Sequence, residues 1–333
     1  KLLALLLTLV LALGLLPMSA FAAQTPVTPT STASITVQNA VENDNLAAYK
    51  VIDIPYDAGA NHLSYEWNSD FADFFAGMTE YNTTAYTVEQ FAKLQNNSAP
   101  LKNLLAGLPN YISAKNIDSV ATKTVAADKT ATFADLAMGE YFIRPTSTTS
   151  VYQLMLQKIE PTVVNGTYVI DDVTFSAKHQ EVSVTKTADK TSVTKNEKVT
   201  YTIKVDVPTY ASQAVDKSFY VSDLLPDGLT IDTDSIKVQI DGTDVNTAAY
   251  TLDKTANTTT APYYTFKLSV DTAQYATNWA AYGEKQLVIT YTATLNDNDT
   301  TQVNTKETNT VTFDYSNYPY VENSHAQKTD TVD

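Results

Sequence analysis

Hydrophobic and polar positions alternate with period two along much of this 333-residue chain, the pattern of strands with one face buried. The alternation is cleanest in the C-terminal half. Val199, Tyr201, Ile203, Val205 and Val207 share one parity, while Thr200, Thr202, Lys204 and Asp206 take the other. Leu287, Ile289, Tyr291, Ala293 and Leu295 repeat the arrangement, and Pro226-Asp227-Gly228 and Asp241-Gly242 supply turns between such runs. Residues 181–320 are therefore predicted to form an antiparallel immunoglobulin-like β-sandwich. In the N-terminal half, strand-like segments at 34–37 and 47–54 precede three helical patterns, and alternation returns over 120–178. Ser69 is expected to cap a helix over 70–77, and Thr87 with Gln90 makes a capping box for a second. Leu101, Leu104, Leu105 and Leu108, at i, i+3, i+4 and i+7, form the apolar stripe of a third. The fold class is thus mainly β, with an N-terminal α+β domain over 33–180 ahead of the sandwich.

The ends of the chain follow other patterns. Lys1 precedes a single apolar run, and Ala20-Phe21-Ala22 offers the small-x-small site of a signal peptidase, so residues 1–22 are expected to be a cleaved signal peptide. The Thr/Pro/Ser tract at 23–32 has no periodicity and is expected to be a disordered lead. The polar stretch at 321–333 is expected to be a linker toward a missing C-terminal domain.

Composition removes several functions. Lys+Arg 22 against Asp+Glu 37 leaves a net charge of −15, and Arg144 is the sole arginine, which argues against a nucleic-acid binder. Zero cysteines exclude a disulfide scaffold, and His62, His179 and His325 are too scattered for a zinc site. No nucleophile elbow or phosphate loop occurs. The acidic clusters at Asp232-Thr233-Asp234 and Asn296-Asp297-Asn298-Asp299 lack the spacing of a calcium loop and read as solvated turns. No cofactor or metal is expected.

Three polar residues break the alternation. Lys186 shares the parity of Val182 and Val184, Asp223 that of Phe219 and Val221, and Asn309 that of Val311 and Phe313. Each alone fits a strand end or turn; together they aim an amine, an acid and an amide at one core. A buried amine pushed toward its neutral form can attack an amide carbon whose carbonyl is polarised by an acid, giving a Lys–Asn isopeptide bond and ammonia. Asn317 has the same parity as Asn309 but lies beyond the expected strand end.

The run Val184-Thr185-Lys186-Thr187-Ala188-Asp189-Lys190, the strand ending at Val207-Pro208, the segment Val221-Ser222-Asp223-Leu224-Leu225-Pro226-Asp227-Gly228-Leu229-Thr230 and the closing Asn309-Thr310-Val311-Thr312-Phe313-Asp314-Tyr315 resemble the fimbrial isopeptide-forming domain of sortase-assembled Gram-positive major pilins. The resemblance covers residues 182–320 with the motifs in the family's order. It implies that Lys186 bonds to Asn309 with Asp223 as the catalytic acid, hydrogen-bonded to the Asn309 carbonyl. Less specifically, Phe133-Ala134-Asp135-Leu136-Ala137-Met138-Gly139-Glu140-Tyr141 is similar to a turn-and-strand of the pilins' N-terminal modules. Pro145 replaces the acid such modules often carry, and the first strand has no lysine, so no isopeptide bond is expected in that domain. Lys178 occupies the place of the lysine that attacks the sortase acyl-enzyme, although Ser176-Ala177 stand where the family has Tyr-Pro.

The resemblance implies a secreted, wall-attached pilus backbone subunit whose partners are sortase and further copies of itself. The family's Leu-Pro-x-Thr-Gly sorting motif does not occur, so the sequence is expected to stop before its natural end. Two other functions stay open: a non-polymerising adhesin or minor pilin binding a host ligand, and an exported glycan-active enzyme, which would need paired carboxylates in a cleft.

Overall fold

The computed structural model describes residues 26–77, 86–94, 98–296 and 306–333. The expected signal peptide at 1–22 lies outside them, as do three of the four residues of the 296–299 turn. Among the described residues no helix is long and apolar enough to cross a membrane.

The N-terminal domain packs helices against two small sheets. Strand β1 (Thr32–Gln38) and β2 (Asn45–Asp53) come first, followed by α1 (Ala72–Ala76), α2 (Val88–Ala92) and α3 (Ala99–Lys115). Strands β3 (Ala131–Ala137), β4 (Gly139–Ser147), β5 (Met155–Ile159) and β6 (Val173–Ser176) complete the layers. In one sheet β1 lies between β6, its parallel neighbour, and β3, which is antiparallel. In the other, β4 lies between β5 and β2. The capping box forms as expected: the Thr87 hydroxyl accepts from the Gln90 amide, and Gln90 reaches back to the Thr87 amide. Leu101, Leu104, Leu105 and Leu108 are all buried on α3. Helix α1, by contrast, begins only after Phe71 with no side-chain cap, because Phe71, Phe74 and Phe75 turn the segment into the core and leave Ser69 outside it.

The second domain is a sandwich of two five-stranded antiparallel sheets. One contains β7 (Val184–Ala188), β8 (Lys198–Asp206), β10 (Leu229–Ile240) and β12 (Gln286–Leu295), in the order β7-β8-β12-β10 with the short strand Thr243–Asp244 at the far edge. The other contains β9 (Phe219–Leu224), β11 (Phe266–Val270), β13 (Asn309–Ser316) and β14 (His325–Val332), in the order β11-β9-β13-β14 with Thr251–Asp253 outside β11. Every inward residue of β12 and β13 is buried, as period two requires.

Two terminal expectations are corrected. Residues 26–31 do not form a free lead: Val27 is buried, its amide donates to the Tyr168 carbonyl at 3.0 Å, and Pro26 bridges Val169. Residues 325–332 are not linker. They form β14, which pairs with all eight residues of β13 from Asn309↔Val332 to Ser316↔His325. Its outward Gln327, Thr329 and Thr331 conceal the strand, and Lys328 and Asp330 interrupt even its half-buried face, because it is an edge with one face in water.

Strand β14 is fastened at its start. His325 Nδ1 lies 2.5 Å from Asp314 Oδ1, and its Nε2 lies 3.1 Å from Asp216 Oδ2 and 3.2 Å from Ser218 Oγ. Serine, histidine and aspartate here are not a nucleophilic triad. Ser218 already donates its proton to Asp216 at 2.6 Å, and the imidazole is gripped by two carboxylates. Burial alone would lower the His325 pKa, but the bonds to Asp216 and Asp314 outweigh it and raise the value to about 9. Burial likewise opposes ionisation of Asp216, yet bonds from His325 and Ser218 bring it down to about 2.

The raised histidine stabilises the fold fully below its ordinary value of 6.5 and loses that contribution as pH rises through about 9. The depressed Asp216 contributes above its ordinary 3.8 and loses its share as pH falls through about 2. Thermal unfolding of the parent and of His325→Gln should therefore differ most between pH 3.8 and 6.5, by on the order of 2 kcal/mol. The two melting curves should converge above pH 9.

Candidate functional site

The sandwich core encloses a cluster of ionisable and amide side chains. Lys186 enters from β7, Asp223 from β9 and Asn309 from the first position of β13, and their relative exposures are 4%, 0% and 0%. Strand alternation places each there: Val184 and Lys186 are buried with Thr185 and Thr187 exposed, Asp223 follows Val221 inward, and Asn309 precedes Val311 and Phe313. The sequence-predicted lysine, acid and amide are thus brought together.

Lys186 Nζ is paired with Asp223 Oδ2. Burial pushes the lysine pKa down, with Asp223 opposing, and pushes the Asp223 carboxyl up, with Lys186 opposing. Desolvation is the larger cause for both, so both move toward their neutral forms, an amine that can attack and an acid that can give a proton.

A fourth residue joins them. Tyr291, on the inward face of β12, accepts from Lys186 Nζ at 3.0 Å and from Asn309 Nδ2 at 2.8 Å, and donates to Asp223 Oδ1 at 2.9 Å. Its ring stacks on Tyr201, with which it is in cross-strand register, and meets Phe266 edge-on at 5.2 Å. The expected bond from Asp223 to the Asn309 carbonyl is not made: Tyr291 stands between the two, and Asn309 Oδ1 is buried without a partner. Tyr291 appears in the sequence as one more inward residue of an apolar strand. Its signal was a hydroxyl at a parity otherwise taken by leucine, isoleucine and alanine.

Strand β14 closes this site from outside, where Asp330 accepts from the Lys186 backbone amide at 2.6 Å. Asn317 is elsewhere: its Nδ2 donates to the Thr148 carbonyl at 2.6 Å, at the junction of the two domains. The N-terminal domain has a buried acid of its own, Glu140, whose pKa burial raises to about 8. The nearby Lys50 and Lys158 are engaged with Asp53 and Glu160.

Lys178 is exposed between β6 and the short strand His179–Gln180, and its carbonyl accepts from the Gln153 amide at 2.9 Å. It lines a groove of about 630 Å³ at the domain junction, with Leu105, Leu154, Phe175 and Tyr320 among the apolar walls. The junction is held by the Asn317 bond, by Tyr315 donating to the Thr149 carbonyl, and by Gln180, which bonds Val207 and Thr209. Asp232 and Asp234 lie not in a turn but on β10, where its register against β12 shifts between Asp232 and Lys237. Asp232 pairs with Lys198 and Asp234 with Lys254, and no group of metal-ligating side chains occurs among the described residues.

No family model matches the chain, and no curated protein sequence is similar to it. Solved structures are. The T6 backbone pilin of serotype M6 Streptococcus pyogenes superposes with a TM-score of 0.63 at 18% identity, covering 92% of this chain and 64% of the pilin. The major pilin SpaD from Corynebacterium diphtheriae gives a TM-score of 0.57 at 16% identity, covering 92% of this chain and 66% of SpaD. The chain thus spans just under two thirds of the length of these pilins, and over that span it has the fold of a Gram-positive backbone pilin.

Proposed function

We propose that the chain is the structural subunit of a covalently polymerised surface pilus, stabilised by a self-formed Lys186–Asn309 isopeptide bond and joined to the next copy by sortase through Lys178. The observation that supports this best is the enclosed cluster of amine, acid and amide in a core that is largely apolar. Breaking up such a group by removing one partner leaves an uncompensated buried charge, and an apolar core of the same shape would hold together without it. The cluster has a use if its members react.

In this reading neutral Lys186 attacks the Asn309 side-chain carbon, Asp223 serves as the acid, and ammonia leaves. The fold holds the partners, so proximity takes the place of an external catalyst. The bond forms once per molecule, which makes it maturation and not enzyme turnover. Closing a loop of about 120 residues should stabilise the domain by about 5 kcal/mol on the chain-entropy scale. An exported subunit of a load-bearing fibre without cysteine gains from such a link what disulfides supply elsewhere. Export through the 1–22 leader, attachment at the cell wall and partnership with sortase and further copies complete the proposal.

Intact-mass measurement of residues 23–333 should find the chain lighter than its sequence by one ammonia, and Lys186→Ala, Asp223→Ala and Asn309→Ala should each restore the full mass. A parent chain of full mass would remove the isopeptide bond from the proposal. In the full-length protein, Lys178→Ala should abolish the high-mass ladder on denaturing gels while leaving the ammonia loss intact. An unchanged ladder would move the link to another lysine, and a parent protein that forms no ladder would favour a non-polymerising adhesin.

A further inference from the structure

Among the described residues, Tyr291 is the one side chain hydrogen-bonded to all three reacting residues: the Lys186 amine, the Asp223 carboxyl and the Asn309 amide. The amide meets Tyr291 through Nδ2, the atom that has to depart. Asp223 bonds Lys186 and Tyr291 but not Asn309, so a proton passing from the acid to the departing nitrogen has Tyr291 in its path.

We infer that Tyr291 is a catalytic residue of isopeptide formation, relaying the proton from Asp223 to the Asn309 nitrogen that leaves as ammonia. The inference rests on the isopeptide reading above. The Lys186 Nζ lone pair forms the bond to Asn309 Cγ, and the Cγ–Nδ2 bond breaks. The departing nitrogen keeps its two hydrogens and takes the Tyr291 phenol proton, completing NH₃. Asp223 returns a proton to Tyr291 through Oδ1 as its Oδ2 receives the one shed by Nζ. Carboxyl and phenol end as they began, and no further reactant is needed.

Three features suit Tyr291 to this task. Burial and the neighbouring Asp223 push the phenol pKa far up, so the group holds its proton until a strong base develops beside it, as the departing amine does. Stacking on Tyr201 at 5.3 Å and edge contact with Phe266 fix the ring, and with it the oxygen. The Tyr291–Asp223 bond also reverses without movement: with Asp223 protonated the carboxyl donates to the phenol oxygen, which frees the phenol proton for Nδ2. Tyr201 also faces Asn309, but it bonds neither Lys186 nor Asp223 and cannot complete the path.

The test uses residues 23–333 recovered unreacted in denaturant and refolded, with ammonia loss followed over time by intact mass and folding by circular dichroism. Tyr291→Phe should fold and lose ammonia at least about 100-fold more slowly than the parent, the low end of what a positioned general acid supplies. Tyr201→Phe should react within a few-fold of the parent. Fluorotyrosines of graded acidity placed at 291 keep the ring and hydroxyl and should change the rate in step with phenol acidity, which a merely positioning hydroxyl would not do. They decide the matter even where Tyr291→Phe does not fold. A folded Tyr291→Phe that reacts at the parental rate, or a fluorotyrosine series with a constant rate, overturns the role of Tyr291 and leaves the isopeptide bond standing. A parent chain that never loses ammonia overturns the bond itself.

Discussion

Desolvation of one amine and one carboxyl governs the second domain. Lys186 and Asp223 lie where water cannot reach them, and the walls that exclude it are the inward residues of both sheets. Removing two ionisable groups from water costs several kcal/mol each when they are charged, and much less when a proton resides on the carboxyl and not on the amine. The same burial that makes the pair unfavourable as ions suits it to the nucleophile and acid of the proposed reaction. Packing at Val184, Val221, Val311 and Phe313 is therefore also chemistry, because loosening it would let water in and restore the charges.

That enclosure depends on elements far apart in the chain. Strand β14 lies over the edge between β7 and β13 and bonds the Lys186 backbone through Asp330. The His325 clamp holds the beginning of β14, and Asn317, the residue that follows the end of β13 at Ser316, holds the sandwich to the N-terminal domain. Lys178 emerges at that same junction, so one exposed lysine and one buried lysine, eight positions apart, occupy opposite environments. Strand geometry separates them: Lys186 has the parity of buried valines, while Lys178 leaves β6 on the solvent side.

Much of this was legible in the sequence, and the exceptions have physical causes. Lys186, Asp223 and Asn309 betrayed themselves because period two leaves no freedom over which face a strand residue takes. The Leu101–Leu108 stripe and the Thr87–Gln90 box were equally plain. Tyr291 was hidden by its own amphipathic character, since its ring satisfies the hydrophobic pattern and only its hydroxyl does the bonding. The missing Asp223–Asn309 bond could not be foreseen without knowing that a phenol fills the space. Strand β14 was missed because an edge strand buries only part of one face, and the Ser69 cap failed because three phenylalanines decide where α1 begins. Val27 shows the same limit: one apolar residue in a Thr/Pro tract is enough to fasten it when a matching hollow exists.

The pairing of Asn309 with Val332 and of the Lys186 amide with Asp330 brings the way into the sandwich, the way out of it and the two ends of the proposed bond to one place. In the proposed fibre, with that bond in place, the roughly 120 residues between Lys186 and Asn309 would form a closed excursion that tension bypasses. Segments on this excursion can lengthen, shorten or change their surface chemistry without weakening the strand of the fibre that runs past them. A subunit built this way separates what must stay constant for strength from what is free to vary in the face it shows its surroundings.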